Sequence, residues 1–520
     1  MIDLPEPQSL IAAAEAPFAQ VVGTADGARY GFARWVFLRG LGLVHLAAFL
    51  SLWTQVAGLV GEEGILPYRD VLDRLRRPDG SPDLRRAPTL LWWARGDGAL
   101  HAVCGAGLVL AVLVVLGVAP APALLGLWAL YLSLVAAGSV FLSYQWDVLL
   151  VEASFLGVFL APWGLLTGPV GAGAPEAASP TALFLLWWLL FRLVFQSGLG
   201  KLTSGDASWR DLTALEYHWW TQPLPAWTAW WVDELPRGVH RAATLATHVL
   251  ELLFPLLIFA PRPARLVGFS GLVLLQLLIM ATGNYNFFNV LAVVLSFLLL
   301  DDRAWSAILG PDVVGAVAGV PGAGPGPART AAVLALAALV LAVGAARLWR
   351  TFRPDAALPP PLRGLLRGLD PLRTVNSYGL FRVMTKRRPE IVVQGSLDGE
   401  TWHDYTFRWK PGDPGARPRF CAPHQPRLDW QMWFAALGSF HRTPWFHAFL
   451  ARLLEGSPAV EDLLAETPHG EERPVYVRAV LYEYRFTGRD ERRESGRWWS
   501  REEAGLYAPP RRLDGSHGGG

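Results

Sequence analysis

Nine apolar stretches, most of them close to the length of a bilayer crossing, dominate the first two-thirds of this chain, and several carry charges. They run roughly over 33–57, 99–118, 122–143, 148–168, 181–201, 239–260, 265–282, 286–300 and 330–347. A helix rising 1.5 Å per residue crosses the hydrocarbon core in about 20 residues. Only helices and closed barrels satisfy their backbone in lipid, and runs of this length and continuity are helical. The predicted fold is a polytopic α-helical membrane bundle of about nine spans followed by a small mostly-β soluble domain. The apolar runs depress the charged fraction to 17% of 520 residues, below the roughly 25% of soluble domains. A net charge of +2 gives no electrostatic footprint for nucleic acid, so none is expected as a partner. The polar segment 1–32 has no basic region ahead of an apolar one, so the first stretch reads as a retained span.

The bundle spans 33–347, interrupted by two large polar loops, 58–98 and 202–238. With nine spans, both loops and the C-terminal region fall on one face. The weakest span is 286–300, and the Gly283-Asn284-Tyr285-Asn286 break before it requires a surface position or burial in protein. A juxtamembrane linker, 348–375, carries Leu362, Leu365, Leu366 and Leu369 at helical spacing, which predicts an amphipathic helix. The C-terminal domain, 376–507, places two strand-like runs around Asp398-Gly399, a hairpin signal, with another strand over Val475–Phe486 and helices over 428–437 and 443–455. The Pro/Gly-rich end, 508–520, is expected to be disordered. The arginines of 58–98, with Arg347, Arg350 and Arg353, place the shared face in the cytoplasm by the positive-inside rule.

Charges inside spans are costly, about 2.5–3.5 kcal/mol at a helix centre. Those in or near spans are Arg34, Arg39, His45, Asp147, Glu152, Arg192, Lys201, His248 and Glu251. Function and polar glue between helices are both open for each. Thr244, His248 and Glu251 share one helix face by spacing, and Arg192 and Gln196 share another. Either Glu152 or Glu251 is a possible partner for Arg192. His218, His248 and Glu251 do not match a zinc spacing, so no metal or cofactor is expected. Cys104 and Cys421 give no disulfide framework. Lys201 is one of three lysines, with Lys386 and Lys410, in an arginine-rich chain. A buried lysine shifts its proton affinity readily whereas arginine does not, which favours a functional role over a snorkelling one. The following loop concentrates polar and aromatic groups: Trp209, Arg210, Asp211, Tyr217, His218, Thr221, Gln222 and Pro223.

These segments resemble the lipase maturation factor family. The resemblance rests on Tyr144 to Asp147, Phe191 to Lys201, Trp209 to Leu212, Tyr217 to Pro223, His248 to Pro255 and Gly283 to Phe287. In the tail it rests on Asn376 to Phe381, Lys410 to Pro414 and Arg427 to Ala436. It adds Asn284 and Asn286 to the intramembrane polar set of Arg39, Asp147, Glu152, Arg192, Gln196, His248 and Glu251. The resemblance implies a non-catalytic membrane factor that assists client proteins such as secreted lipases, with its tail domain facing the lumen, opposite to the arginine bias. High Ala, Arg, Gly and Pro content fits a bacterial relative in the cytoplasmic (inner) membrane; a eukaryotic member would sit in the endoplasmic reticulum. Trp219, Trp220, Trp430 and Trp433 are the candidate client contacts. A fainter resemblance, carried by Lys201 and Trp209, links the region to the membrane part of vitamin K-dependent gamma-carboxylases. It implies an alternative: a membrane enzyme on a lipid-soluble or peptide substrate, with Lys201 as base and His218 or Asp211 assisting. The hairpin Ser396 to Trp402 resembles those of jelly-roll sandwiches, a matter of fold alone. No internal repeat supports a transporter.

Overall fold

All nine apolar segments fold as helix in the computed structural model, which describes residues 7–166, 176–319, 322, 324–470 and 472–513. Before them comes α1 (Pro7–Val22). The nine are α2 (Gly31–Trp53), α3 (Gly96–Leu116), α4 (Pro120–Ala137), α5 (Gln145–Leu160), α6 (Pro180–Thr203), α7 (Arg237–Leu252), α8 (Arg262–Thr282), α9 (Phe288–Ser296) and α10 (Pro327–Phe352). Among the described residues, seven helices are long and apolar enough to cross a membrane, α7 being counted with the 3-10 turns that prolong it to Phe259. The other two, α5 and α9, are short. At 1.5 Å per residue, α5 reaches only about 24 Å. Neither α5 nor α9 has an exposed side chain, so protein rather than lipid surrounds both. The centre of the bundle is α6, whose apolar window is 83% buried, against 28% for α3. Ser179 caps α6 by accepting from the Ala182 amide at 3.3 Å, with Pro180 at its first position.

The Gly283–Asn286 break is buried in protein. The Asn284 amide donates to the Leu224 carbonyl at 3.2 Å, and Asn286 takes φ 50°, a conformation asparagine tolerates. A β-carbon on Gly283 would overlap the Gln222 side-chain amide and come within 2.7 Å of the Tyr285 ring. The N-terminal segment is more ordered than its polarity suggests: α1 packs on α6 and α10, where Thr181 Oγ1 donates to Glu15 at 3.2 Å.

Beyond α10, the predicted amphipathic helix forms as α11 (Pro360–Leu369). The C-terminal domain is one antiparallel sheet in the order β2-β1-β3-β4. Its strands are β1 (Arg388–Ser396), β2 (His403–Asp404), β3 (Tyr476–Phe486) and β4 (Trp499–Arg511). Helices α12 (Arg427–Ala436) and α13 (Pro444–Glu455) are inserted between β2 and β3. Asp398 builds the β1–β2 turn by accepting from the Glu400 and Thr401 amides, both at 2.8 Å, while Gly399 takes φ 81°. The tail expected to be disordered from 508 instead enters the sheet: Ala508 pairs with Ala479 and β4 runs to Arg511. The rest of that tail, 514–520, lies outside the described residues. As an edge strand, β4 carries Glu502, Glu503, Gly505, Pro509 and Pro510, residue types that blunt edges and mask an alternating pattern.

Gly283→Val should destabilise the fold by about 1–3 kcal/mol, the usual cost of overpacking. Thermal unfolding of the detergent-solubilised protein reads this as a lowered midpoint; an unchanged midpoint contradicts the close approach to Gln222.

Candidate functional site

Asp147, Glu152, Arg192, Gln196, Asn284 and Asn286 converge on a seam where the C-terminal domain is docked. Asp147 opens α5 and is fully buried. Arg427, at the start of α12, donates to both its oxygens at 2.9 and 2.8 Å. The Tyr131 hydroxyl donates to the same carboxylate at 2.6 Å, and Arg427 also donates to the Phe141 carbonyl at 2.6 Å. The planar guanidinium fork suits this bidentate geometry, which a lysine would not reproduce.

One and a half turns deeper, Glu152 holds the second joint. It forms a buried salt bridge with Arg192 of α6. It also accepts from the Asn376 amide at 2.7 Å, the Asn376 side chain at 2.9 Å and the Tyr378 hydroxyl at 2.8 Å. Arg192 donates onward to the Asn376 carbonyl at 2.8 Å. Gln196, on the same face of α6, accepts from the Tyr378 amide at 3.2 Å. Of the two carboxylates open as partners for Arg192, the fold selects Glu152.

Further joints follow along the seam. Asn284 Oδ1 accepts from the Cys421 amide at 2.7 Å, and its Nδ2 donates to the Arg419 carbonyl at 2.8 Å. Asn286 Nδ2 donates to Gln425 at 2.6 Å. From α2, Ser51 meets His424 Nδ1 at 2.9 Å. Burial, reinforced by the charges of Arg427 and Arg408, pushes the His424 imidazole down to about 4. Loop 58–98 joins through Arg452, which donates to the Gly64 carbonyl at 2.9 Å. Loop 202–238 joins through Arg388, which donates to the carbonyls of Trp220, Gln222 and Pro223. Arg388 and Lys410 share the buried Glu390 at 2.8 and 3.0 Å. Both loops thus meet the C-terminal domain on one face.

The tryptophans expected as client contacts are mostly interior. Trp219, Trp430 and Trp433 are buried, and Trp220 is half-buried. Trp219 donates to His240 Nδ1 at 3.0 Å, Trp433 to the Thr221 carbonyl at 2.9 Å, and Trp430 packs edge-on against Trp146 at 4.7 Å. Arg492 stacks on Trp498 at 3.4 Å and on Trp230 at 4.2 Å, sealing the loop against the sheet. Tryptophan suits an interface belt and a buried joint equally, and sequence alone does not separate the two.

A second polar group sits apart from the seam. Lys201 of α6 donates to both oxygens of Glu251 on α7, at 2.7 and 2.6 Å, and stands 5.2 Å from the Trp209 ring centroid. The face shared by Thr244, His248 and Glu251 grips the loop: Thr244 Oγ1 accepts from the Leu215 amide at 3.4 Å and His248 Nε2 meets the Trp209 carbonyl at 3.0 Å. Trp209 is buried and donates to the Phe381 carbonyl at 3.1 Å. Gln222 donates to the Thr282 carbonyl at 3.0 Å, and Thr221 to that of Tyr217 at 2.8 Å. Tyr217 lies under Lys386 at 5.8 Å. His218 meets Tyr285 at 3.3 Å; burial and the charge of Lys201 lower its imidazole to about 4. Lys201 and His218 line one cavity of about 410 Å³, but Asp211 does not. Asp211 and Arg210 are exposed, so of the two residues expected to assist Lys201, His218 shares its cavity and Asp211 does not. Arg39 stands elsewhere, stacked on Trp35 at 4.9 Å. Among the described residues no three His, Cys, Asp or Glu side chains group as metal ligands.

An apolar helical bundle with a β domain clamped to one face by buried ion pairs defines an integral membrane protein with a fixed extramembrane platform. Residues 32–307 match the lipase maturation factor transmembrane domain and 374–509 the lipase maturation factor C-terminal domain, and the chain belongs to the lipase maturation factor family. It is 36% identical over 588 residues to lipase maturation factor 2 of Mus musculus, covering 91% of this chain and 82% of that protein. It is 35% identical over 503 residues to lipase maturation factor 1 of Bos taurus, covering 92% and 88%. No solved structure matches the chain.

Arg427→Met strands Asp147 without its ion partner and should cost about 3–5 kcal/mol. Pairing it with Asp147→Leu should recover part of the loss in thermal unfolding, because replacing both ions removes the stranded charge; no recovery contradicts a direct pair. Stability should also fall with acid. His424 is held near 4 against about 6.5 unfolded, so the unfolded state takes its proton first. This contribution is intact above about pH 6.5 and is lost as pH falls toward 4. His424→Gln should flatten that part of a pH-stability profile, whereas an unchanged profile contradicts the assignment.

Proposed function

We propose that this chain is a maturation factor that holds a folding client protein against the face built by the docked C-terminal domain and loops 58–98 and 202–238. The observation that carries the reading is the rigid seam around Asp147 and Glu152: it fixes an extramembrane surface relative to the bilayer. The relatives named as lipase maturation factors make a secreted lipase or a similar secreted enzyme the first client class. Secreted clients require the platform to face away from the cytoplasm, against the arginine bias of loop 58–98 and the start of the linker, and in a bacterial chain that side is the periplasm.

Because Trp219, Trp430 and Trp433 are interior, the client contacts are assigned to apolar side chains that the fold leaves outside. Phe434 and Leu437 project from the end of α12, 45% and 44% exposed, next to the seam that α12 anchors. Large exposed apolar groups beside a rigid joint suit transient capture of incompletely folded protein.

Photo-crosslinking from position 434 in cells, read by mass spectrometry, should recover secreted proteins, and Phe434→Asp with Leu437→Asp should reduce secreted client activity without lowering the factor's abundance. Recovery of no secreted protein above background contradicts the reading. Protease added outside spheroplasts should cleave the C-terminal domain; protection there, with cleavage only in inverted vesicles, contradicts the orientation.

A further inference from the structure

The cavity beside Lys201 lies among α6, α7, α8 and α9. Its volume of about 410 Å³ falls within the range of small-molecule sites, roughly 300–1,000 Å³. Its walls are apolar, formed by side chains such as Leu193, Leu250, Leu275 and Ile279. Two other lining residues, Ala246 of α7 and Leu278 of α8, are exposed on the outside of the bundle. Both helices belong to membrane-crossing segments, so the cavity opens sideways toward lipid.

Its polar end has a defined chemistry. Lys201 and Glu251 cancel each other's charge, and they are the only formally charged side chains among the lining residues. His218 is neutral near pH 7, since burial holds its imidazole low. The Tyr285 hydroxyl donates to Gln222 Oε1 at 2.9 Å, which leaves it to accept from His218 Nε2 at 3.3 Å. The Nδ1 atom of His218 is then a bare acceptor, buried and without a hydrogen-bond partner among the described residues. An ammonium has three donors, and two of those on Lys201 go to Glu251. One acceptor and one donor thus stand at the end of an apolar, uncharged cavity.

We propose that this cavity binds an uncharged, hydroxyl-bearing lipid drawn from the bilayer. The hydroxyl donates to His218 Nδ1 and accepts from the remaining Lys201 N–H, and the apolar chain lies along the walls toward the opening between α7 and α8. An anionic head is disfavoured because Glu251 already occupies the ammonium. The site borders the client-holding face, since His218 lies in loop 202–238 and Leu380 and Phe381 close one side of the cavity, but its lining includes neither Phe434 nor Leu437.

The test uses the full chain in phosphatidylcholine nanodiscs with a hexadecanol probe carrying a diazirine and an alkyne. A probe of the same chain ending in a carboxylate is the comparison. After irradiation, adducts should concentrate on peptides of α7 and α8 that line the cavity, and excess unlabelled hexadecanol should remove most of them. Ala246→Trp, which blocks the opening from an exposed position, and His218→Phe, which removes the acceptor and keeps a ring, should each reduce labelling to the level seen on the lipid-facing surface of α3. Gel filtration checks that both variants fold, and the competition arm on the unaltered chain stands without them. Adducts spread evenly over the outer helices, or resistant to competition, overturn the site. Equal labelling by the carboxylate probe overturns the uncharged head.

Discussion

An ion buried in an apolar bundle without a partner costs several kcal/mol, and here the partners come from the far end of the chain. Asp147 is met by Arg427, 280 residues away. Glu152 is met by Asn376 and Tyr378, more than 220 residues away. The bundle and the C-terminal domain therefore complete each other. Separating them would strand Asp147, Arg427 and much of the coordination of Glu152 in low dielectric. Removing one side of such a pair is far more damaging than replacing both, and this asymmetry ties the position of the domain to the integrity of the bundle.

That dependence gives a family of maturation factors a physical basis for a fixed platform. The sheet and α12 are held at the bundle surface by several joints at once: the carboxylates of α5, the asparagines before α9, Ser51 of α2, and Arg388 reaching into loop 202–238. Scattered intramembrane charges that a hydropathy profile marks as anomalies act as one interface. The Lys201–Glu251 pair lies outside that interface, as do Arg34, Arg39 and His45; it crosses between two helices of the bundle and borders a cavity.

Much of the architecture was legible because hydrophobic period and length are local properties. Each apolar run became a helix, and the face-sharing of Thr244, His248 and Glu251 and of Arg192 and Gln196 followed from 3.6-residue geometry. What was not legible was long-range pairing. Nothing local marks Arg427 as the partner of Asp147, or Asn376 as that of Glu152. The burial of α5 and α9 also depends on neighbours, so their shortness gave no sign of which protein surfaces cover them. β4 escaped notice because an edge strand is selected for polarity, Pro and Gly. Trp219, Trp430 and Trp433 read as surface contacts because the same side chain serves interfaces and interiors. Asp211 is near Lys201 and His218 in sequence, but the turn after Arg210 sends it outward, which nothing local in the sequence marks.

The docking claim is tested most directly by a distance between the two parts. Spin labels placed at exposed Val109 on α3 and exposed Glu494 in the C-terminal domain, with the buried Cys104 and Cys421 replaced by alanine, report it by double electron–electron resonance. The unaltered seam should give one narrow distance distribution, and Asn376→Ala with Tyr378→Phe, which remove the domain's half of the joint and leave the Glu152–Arg192 pair inside the bundle, should broaden it. A broad distribution before any change to the seam, or one that this double substitution leaves unaltered, would contradict the account.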